Sequence, residues 1–197
     1  MIQRIKPPLL ACGVAMLSGC VISTSSSLDD YVGADAAKLR VSNNADALTL
    51  HIYTRVGSCL QEVDSKSLTA GINVLGIKST RNKTVAGIAP VPEGSPLKGL
   101  DVMEYTIKAG QYLSLGYSTV SETQYSQTRH DASRSFVPTA GHSYEAYTGQ
   151  GGYYINEVII TDITQGKNDL APTWPLKECK YQYNMLRHKI YSDVQMN

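Results

Sequence analysis

Polar and apolar residues alternate along most of this chain, and the alternation has a period of two. Leu48, Leu50, Ile52 and Val56 share one side of an extended segment, with Thr49, His51, Tyr53 and Arg55 on the other. Successive side chains of a strand point to opposite faces, so this spacing predicts a half-buried β-strand. The pattern returns where Met103, Tyr105 and Ile107 alternate with Glu104, Thr106 and Lys108, and again where Leu113, Leu115 and Tyr117 alternate with Ser114, Gly116 and Ser118. Further strands are predicted over 39–42, 135–137, 143–148 and 153–163. The last carries β-formers on both faces, including Ile155, Val158, Ile159 and Ile160, and reads as a doubly covered central strand.

Turn chemistry separates these runs. Asn43-Asn44-Ala45-Asp46 suits a hairpin between 39–42 and the strand from Leu48, and Ala109-Gly110 suits a second hairpin. Pro138-Thr139-Ala140-Gly141 and Gly149-Gln150-Gly151-Gly152 read as turns. Short strands between turn signals, with little helical periodicity, predict a mainly β fold, an antiparallel β-sandwich. One segment departs from this. Over 174–191, Leu176, Cys179, Tyr183, Leu186 and Ile190 recur every three or four residues, which predicts a short C-terminal helix, although Tyr181 and Tyr183 also suit a strand. A short helical turn is expected within 28–38. Two long connections remain, 78–99 with Pro90, Pro92 and Pro96, and the almost wholly polar 121–134. Long irregular loops in a compact domain are functional or mobile.

The N-terminus follows another logic. Arg4 and Lys6 precede an apolar run from Leu9 to Leu17, far short of the roughly 20 residues that span a bilayer. Leu17-Ser18-Gly19-Cys20 closes the run and resembles the lipobox of bacterial lipoprotein precursors. The resemblance covers the first twenty residues and implies that the signal 1–19 is removed and that Cys20 becomes the lipid-bearing first residue. Each buried acyl methylene contributes about 0.8 kcal/mol, so two or three chains anchor a protein lastingly. Val21 stands where an aspartate commonly retains a lipoprotein in the inner membrane. The resemblance therefore implies the outer membrane, with the domain facing the periplasm rather than the cell exterior. The chain divides into a signal peptide (1–19), a lipidated cysteine and tether (20–38) and a β-sandwich domain (39–197). The Ser- and Thr-rich stretch 21–28 would reach roughly 25–30 Å when extended.

Charge adds little. The chain has 18 Lys and Arg against 17 Asp and Glu, a balance that gives no reason to expect a nucleic-acid partner. Two stretches are locally basic, one with Lys66, Lys78, Arg81 and Lys83, the other with Lys177, Lys180, Arg187 and Lys189. Either suits anionic headgroups or the cell wall, or is simply a solvated surface. Once Cys12 leaves with the signal and Cys20 is lipidated, Cys59 and Cys179 are the two thiols left in an oxidising compartment. They are expected to form a disulfide that staples the C-terminal segment to the body.

Motifs for chemistry are missing from the pattern. His51, His130, His142 and His188 are scattered without metal-ligand spacing, so no metal and no cofactor are expected. Gly116-Tyr117-Ser118-Thr119 lacks the second glycine of a nucleophile elbow, and His130 beside Asp131 is the one pair that suggests base catalysis. The positive signal is tyrosine, 13 against one Phe and one Trp. A ring with a polar tip suits surfaces that a partner covers or that stack on sugars, and it also suits the strand faces of a small β-domain. With alternating strands, 121–134 and 149–152 fall at one end of the sandwich. That end would gather Tyr125, Arg129, Arg134, Tyr147, Tyr153 and Tyr154 as a partner-binding surface. The expected role is a non-enzymatic interaction module of the cell envelope with a protein partner, anchored in the membrane through Cys20. A glycan or cell-wall binder is the alternative, and a hydrolase the third.

Overall fold

The structure, a computed structural model, describes residues 27–43, 48–69, 72–74, 77–79, 82–122, 126–151, 155–186 and 188–192. Thirteen strands are described in chain order. They are β1 (Ala36–Ser42), β2 (Leu48–Val56), β3 (Cys59–Ser67), β4 (Ile72–Val74), β5 (Ile77–Ser79), β6 (Val102–Lys108), β7 (Tyr112–Glu122), β8 (Gln127–Phe136), β9 (Ser143–Gly151), β10 (Ile155–Asp162), β11 (Asp169–Leu170), β12 (Tyr181–Tyr183) and β13 (Lys189–Tyr191). A five-stranded sheet in the order β11-β10-β9-β1-β6 faces a four-stranded sheet in the order β3-β2-β7-β8. The fold is thus mainly β, a β-sandwich. Its core draws Leu39, Val41, Tyr105, Tyr144 and Ile160 from one sheet and Leu48, Leu50, Leu113, Leu115 and Phe136 from the other.

Several expectations change. Both predicted hairpins are instead crossovers between sheets, because β1 and β2, like β6 and β7, lie in different layers. Turn residues report that the chain reverses, not which layer it enters next. The sheets are not purely antiparallel, since β1 and β9 pair in parallel, Lys38 opposite Ser143 through Val41 opposite Ala146. That parallel pair makes β1 an interior strand, between β9 and the edge strand β6. β10, expected at the centre, has only the two-residue β11 beyond it. The polar stretch 121–134 is no loop, because all but its tip is the hairpin of β7 and β8, paired from Leu113–Phe136 to Glu122–Gln127. Gly149 and Gly151 also pair, with Glu157 and Ile155, inside the β9–β10 hairpin. The expected C-terminal helix is the β12–β13 hairpin, and 28–35 runs as extended chain and turn into β1, so the domain begins before residue 39.

Helical spacing misled at the C-terminus because the segment is held in extended form along the edge of β3. Cys59 and Cys179 form the expected disulfide, with an S–S distance of 2.07 Å and Cα atoms 4.9 Å apart. Beside it the segment adds to the edge of β3, with Leu60 N–H donating to the Lys177 carbonyl and Cys179 N–H to the Leu60 carbonyl. A bulge prepares that edge. Ile52 faces Asp64 but Tyr53 faces Glu62, so Val63 is an extra residue. One extra residue inverts the parity of what precedes it. Leu60 and Glu62 therefore turn to the outer face with His51 and Tyr53, and Leu60 is fully buried there beneath the C-terminal segment.

The outer face of the five-stranded sheet is covered too, by 82–100. Arg40 of β1 lies opposite Glu104 on β6 and Glu145 on β9, so all three project outward side by side. Arg40 Nε donates to Glu104 Oε1 and Nη1 to Glu145 Oε1, both at 2.8 Å, with all three side chains almost completely buried. The remaining oxygens hold the covering segment. Glu104 Oε2 accepts the Val85 N–H (2.8 Å), Glu145 Oε2 accepts the Ser95 hydroxyl (2.6 Å), and Arg40 Nη2 donates to the Ala89 carbonyl (2.9 Å). The proline-rich connection is thus a fixed lid on the sheet, with Leu97 buried beneath it.

Removing one partner of a buried ion cluster leaves uncompensated charge, which typically costs 3–5 kcal/mol. Arg40→Met is expected to lose about that much stability, read as a lower urea midpoint by circular dichroism. A midpoint unchanged from wild type would show that the cluster contributes nothing.

Candidate functional site

The outer face of the four-stranded sheet carries the densest polar and aromatic cluster among the described residues. Tyr53 on β2 lies directly opposite Tyr112 on β7, and both rings meet Trp174 edge-on at centroid distances of 5.1 and 6.0 Å. Outward aromatics on half-buried strands need a cover, and the C-terminal segment supplies it. Lys189 of β13 reaches down to Glu62 Oε2 at 2.7 Å and Glu178 Oε1 at 2.6 Å, with its ammonium 4.7 Å from the Tyr181 ring centroid. The Tyr191 hydroxyl donates to Glu178 Oε1 (2.6 Å) and accepts the Glu62 N–H (2.8 Å). Glu62 Oε1 takes His51 Nδ1 at 2.6 Å. A carboxylate can only accept, so that nitrogen carries the proton. His51 in turn lies across Gly116, where an added Cβ would stand 2.9 Å from Nε2. A side chain at 116 would displace the imidazole.

These contacts move the titrations. Burial pulls Lys189 down, but hydrogen bonds from its ammonium to Glu178 and Glu62 outweigh that and hold it above the usual lysine range. Burial pushes Glu62 up, and the His51 and Lys189 hydrogen bonds more than reverse it, leaving the carboxyl below its ordinary value. Burial pushes the Tyr53 phenol up to about 12. The groups satisfy one another, so the arrangement works as a clamp on the β12–β13 hairpin. A second pair, His142 Nδ1 with Asp162 Oδ2 at 2.6 Å, lies at the other sheet. Asp162 Oδ1 accepts the Thr164 N–H and hydroxyl, fixing the turn after β10.

The sequence-predicted surface is only partly drawn together. The 35–36, 109–110 and 138–141 turns meet at one end, through Ala109 N–H to the Asp35 carbonyl, Gly110 N–H to the Pro138 carbonyl and Gly141 N–H to the Ala36 carbonyl. The β7–β8 and β9–β10 hairpins both leave that end and carry their tips to the other. Tyr125, Tyr153 and Tyr154 lie outside the described residues, as does Cys20. Arg129 and Arg134 take opposite faces of β8. Arg129 projects outward with Nε on Asp131 (2.9 Å), whereas Arg134 shares the side of Phe136 and donates from Nη2 to the Ala171 carbonyl. His130 and Asp131 cannot pair as neighbours on a strand for the same reason; Asp131 instead sits below its usual value through hydrogen bonds from Ser118 and Arg129. Tyr147 stands on the outer face of β9, two residues beyond Glu145.

Sequence reasoning missed Glu62, Glu178, Lys189, Tyr191 and Trp174. The one signal in the sequence is Tyr53, an aromatic on the polar side of its strand. Among the described residues no group of three or more His, Cys, Asp or Glu is placed to hold a metal ion. Comparison with protein-family models, with curated proteins and with solved structures finds no match to the chain.

Glu62 and Asp162 both titrate below their unfolded values, so each contributes stability that is present above the ordinary carboxylate range and lost as pH falls through the lower folded-state values. Glu62→Gln is expected to be less stable than wild type at pH 7 and to lose less on going to pH 3. Urea midpoints at the two values would show it. Equal acid sensitivity in both proteins would remove Glu62 from the account.

Proposed function

We propose that the chain is an outer-membrane lipoprotein whose sandwich is a non-enzymatic, periplasm-facing interaction module of the cell envelope. The observation that carries this is Leu17-Ser18-Gly19-Cys20 after a short apolar run, with Val21 next. The Cys59–Cys179 disulfide supports it, since structural disulfides persist in oxidising compartments. The shape supports a binding role in a specific way. Part of each sheet's outer face is covered by a pinned segment, and the outer face of β8 around Arg129 and Asp131 stays open to meet a partner. The end bearing the β7–β8 and β9–β10 tips lies on the β8 and β10 side. It carries Arg129 and Tyr147, and in the sequence Tyr125 falls between β7 and β8 and Tyr153 and Tyr154 between β9 and β10.

Lipidation is tested directly by intact mass. Wild type is expected to begin at Cys20 with the mass of its acyl groups and to fractionate with membranes. Cys20→Ala is expected to keep its signal peptide or leave the outer membrane. An unmodified Cys20 in the mature wild type would defeat the localisation. Capture from detergent-solubilised envelope, set beside sedimentation with isolated cell wall, then separates a protein partner from a glycan. Tyr125→Ala with Tyr153→Ala is expected to weaken whichever is found.

A further inference from the structure

The β12–β13 hairpin presents an apolar tip with nothing above it. Met185 is fully exposed, Leu186 is 75 % exposed and Ile190, on the outward side of β13, is 58 % exposed. The tip is built rather than loose. Asn184 N–H donates to the His188 carbonyl, while Asn184 Oδ1 accepts the N–H groups of Leu186 and His188 at 3.0 and 2.8 Å. Below it, the disulfide and the Lys189 clamp fix the hairpin to β3. A rigid hairpin lifting methionine and leucine into solvent loses hydration free energy unless another phase receives them.

Charge indicates which phase. Between Glu178 and Asp193 the sequence has Lys180, Arg187, His188 and Lys189 and no acid, and Glu178 is consumed by Lys189 and Tyr191. Lys177 and Lys180 are exposed beside the hairpin, without an ion-pair partner among the described residues. Apolar side chains framed by lysines match an interface of acyl chains under anionic headgroups. The entry of the chain points the same way. Ser27 bridges to Ser67 at the far end of β3, the edge strand that also carries the hairpin over Leu60 and Glu62. Five strand residues separate Ser67 from Glu62, about 17 Å. The chain from Cys20 to Ser27 spans at most about 25 Å. A lipid at Cys20 therefore holds the β3 edge close to the bilayer, at a high effective concentration for even a weak contact.

We infer that the β12–β13 hairpin is a membrane-contact element that seats Met185, Leu186 and Ile190 in an anionic phospholipid surface. The inference rests on the lipid anchor proposed above and orients the domain, with the β3 edge down and the β8 edge, across the four-stranded sheet, turned away. Mature protein whose intact mass already shows the lipid on Cys20 is reconstituted in vesicles of phosphatidylethanolamine and phosphatidylglycerol, or of phosphatidylcholine alone. Peroxide oxidation of Met185 is then followed by peptide mass spectrometry. Contact predicts oxidation at least about five-fold slower with phosphatidylglycerol, and recovery of most of that rate in Lys177→Glu with Lys180→Glu. Equal rates in the two vesicles, with the lipid present, would overturn the membrane contact and leave the anchor standing. Equal protection in both, unmoved by the lysine variant, would also overturn it and assign the tip to a second copy or another protein. A missing lipid would instead defeat the anchor at the mass measurement.

Discussion

A single guanidinium on an interior strand is the constraint on which the larger sheet depends. Arg40 cannot be buried without counter-charge, and the register of β1 with both neighbours places Glu104 and Glu145 at its sides. Two carboxylates against one cation leave a negative charge and two oxygens to satisfy, and those requirements fix the covering segment through Val85 and Ser95. Lys189 repeats the solution on the opposite sheet, one cation between Glu62 and Glu178 beneath a segment without its own core. In each case desolvation of the ions opposes folding, and good geometry with shared hydrogen bonds to the carboxylates offsets it.

That arrangement gives the sandwich four layers rather than two. Two strand edges are partly closed as well. Lys83 and Tyr31 bond to β6 from outside through the Val102 and Thr106 carbonyls, and Lys177 with Cys179 closes part of β3. Covered edges resist unwanted strand addition. The partner surface and the membrane contact proposed above fall on opposite edges of the four-stranded sheet.

Period two made the strands legible, because half-buried positions repeat wherever one face meets a core. Leu48, Leu50 and Ile52, then Met103, Tyr105 and Ile107, then Leu113, Leu115 and Tyr117 are inner-face residues as the alternation implies. The disulfide was legible from thiol count and compartment. Layer assignment was not, since Asn43-Asn44 and Ala109-Gly110 have the same chemistry whether the chain stays in a sheet or crosses over. The polar run 121–134 looked like a loop because β8 is an edge strand with few core contacts. The two clusters were invisible for a simpler reason. Arg40 is 64 and 105 residues from its carboxylates, and Lys189 is 127 from Glu62. Only the folded registers, and at Glu62 only an inserted Val63, bring them together.

Native-state amide hydrogen exchange on the mature protein tests most directly whether the buried cations pin the covers. Local opening and global unfolding separate in such data, residue by residue. The account predicts that the Val85 and Ala89 amides, bonded to Glu104 Oε2 and Ser143 Oγ, exchange as slowly as the amides of β1. Leu60 and Cys179, beneath the second cover, are expected to match β2. Exchange at Val85 and Ala89 at the rate of an unstructured chain, while β1 stays protected, would contradict it.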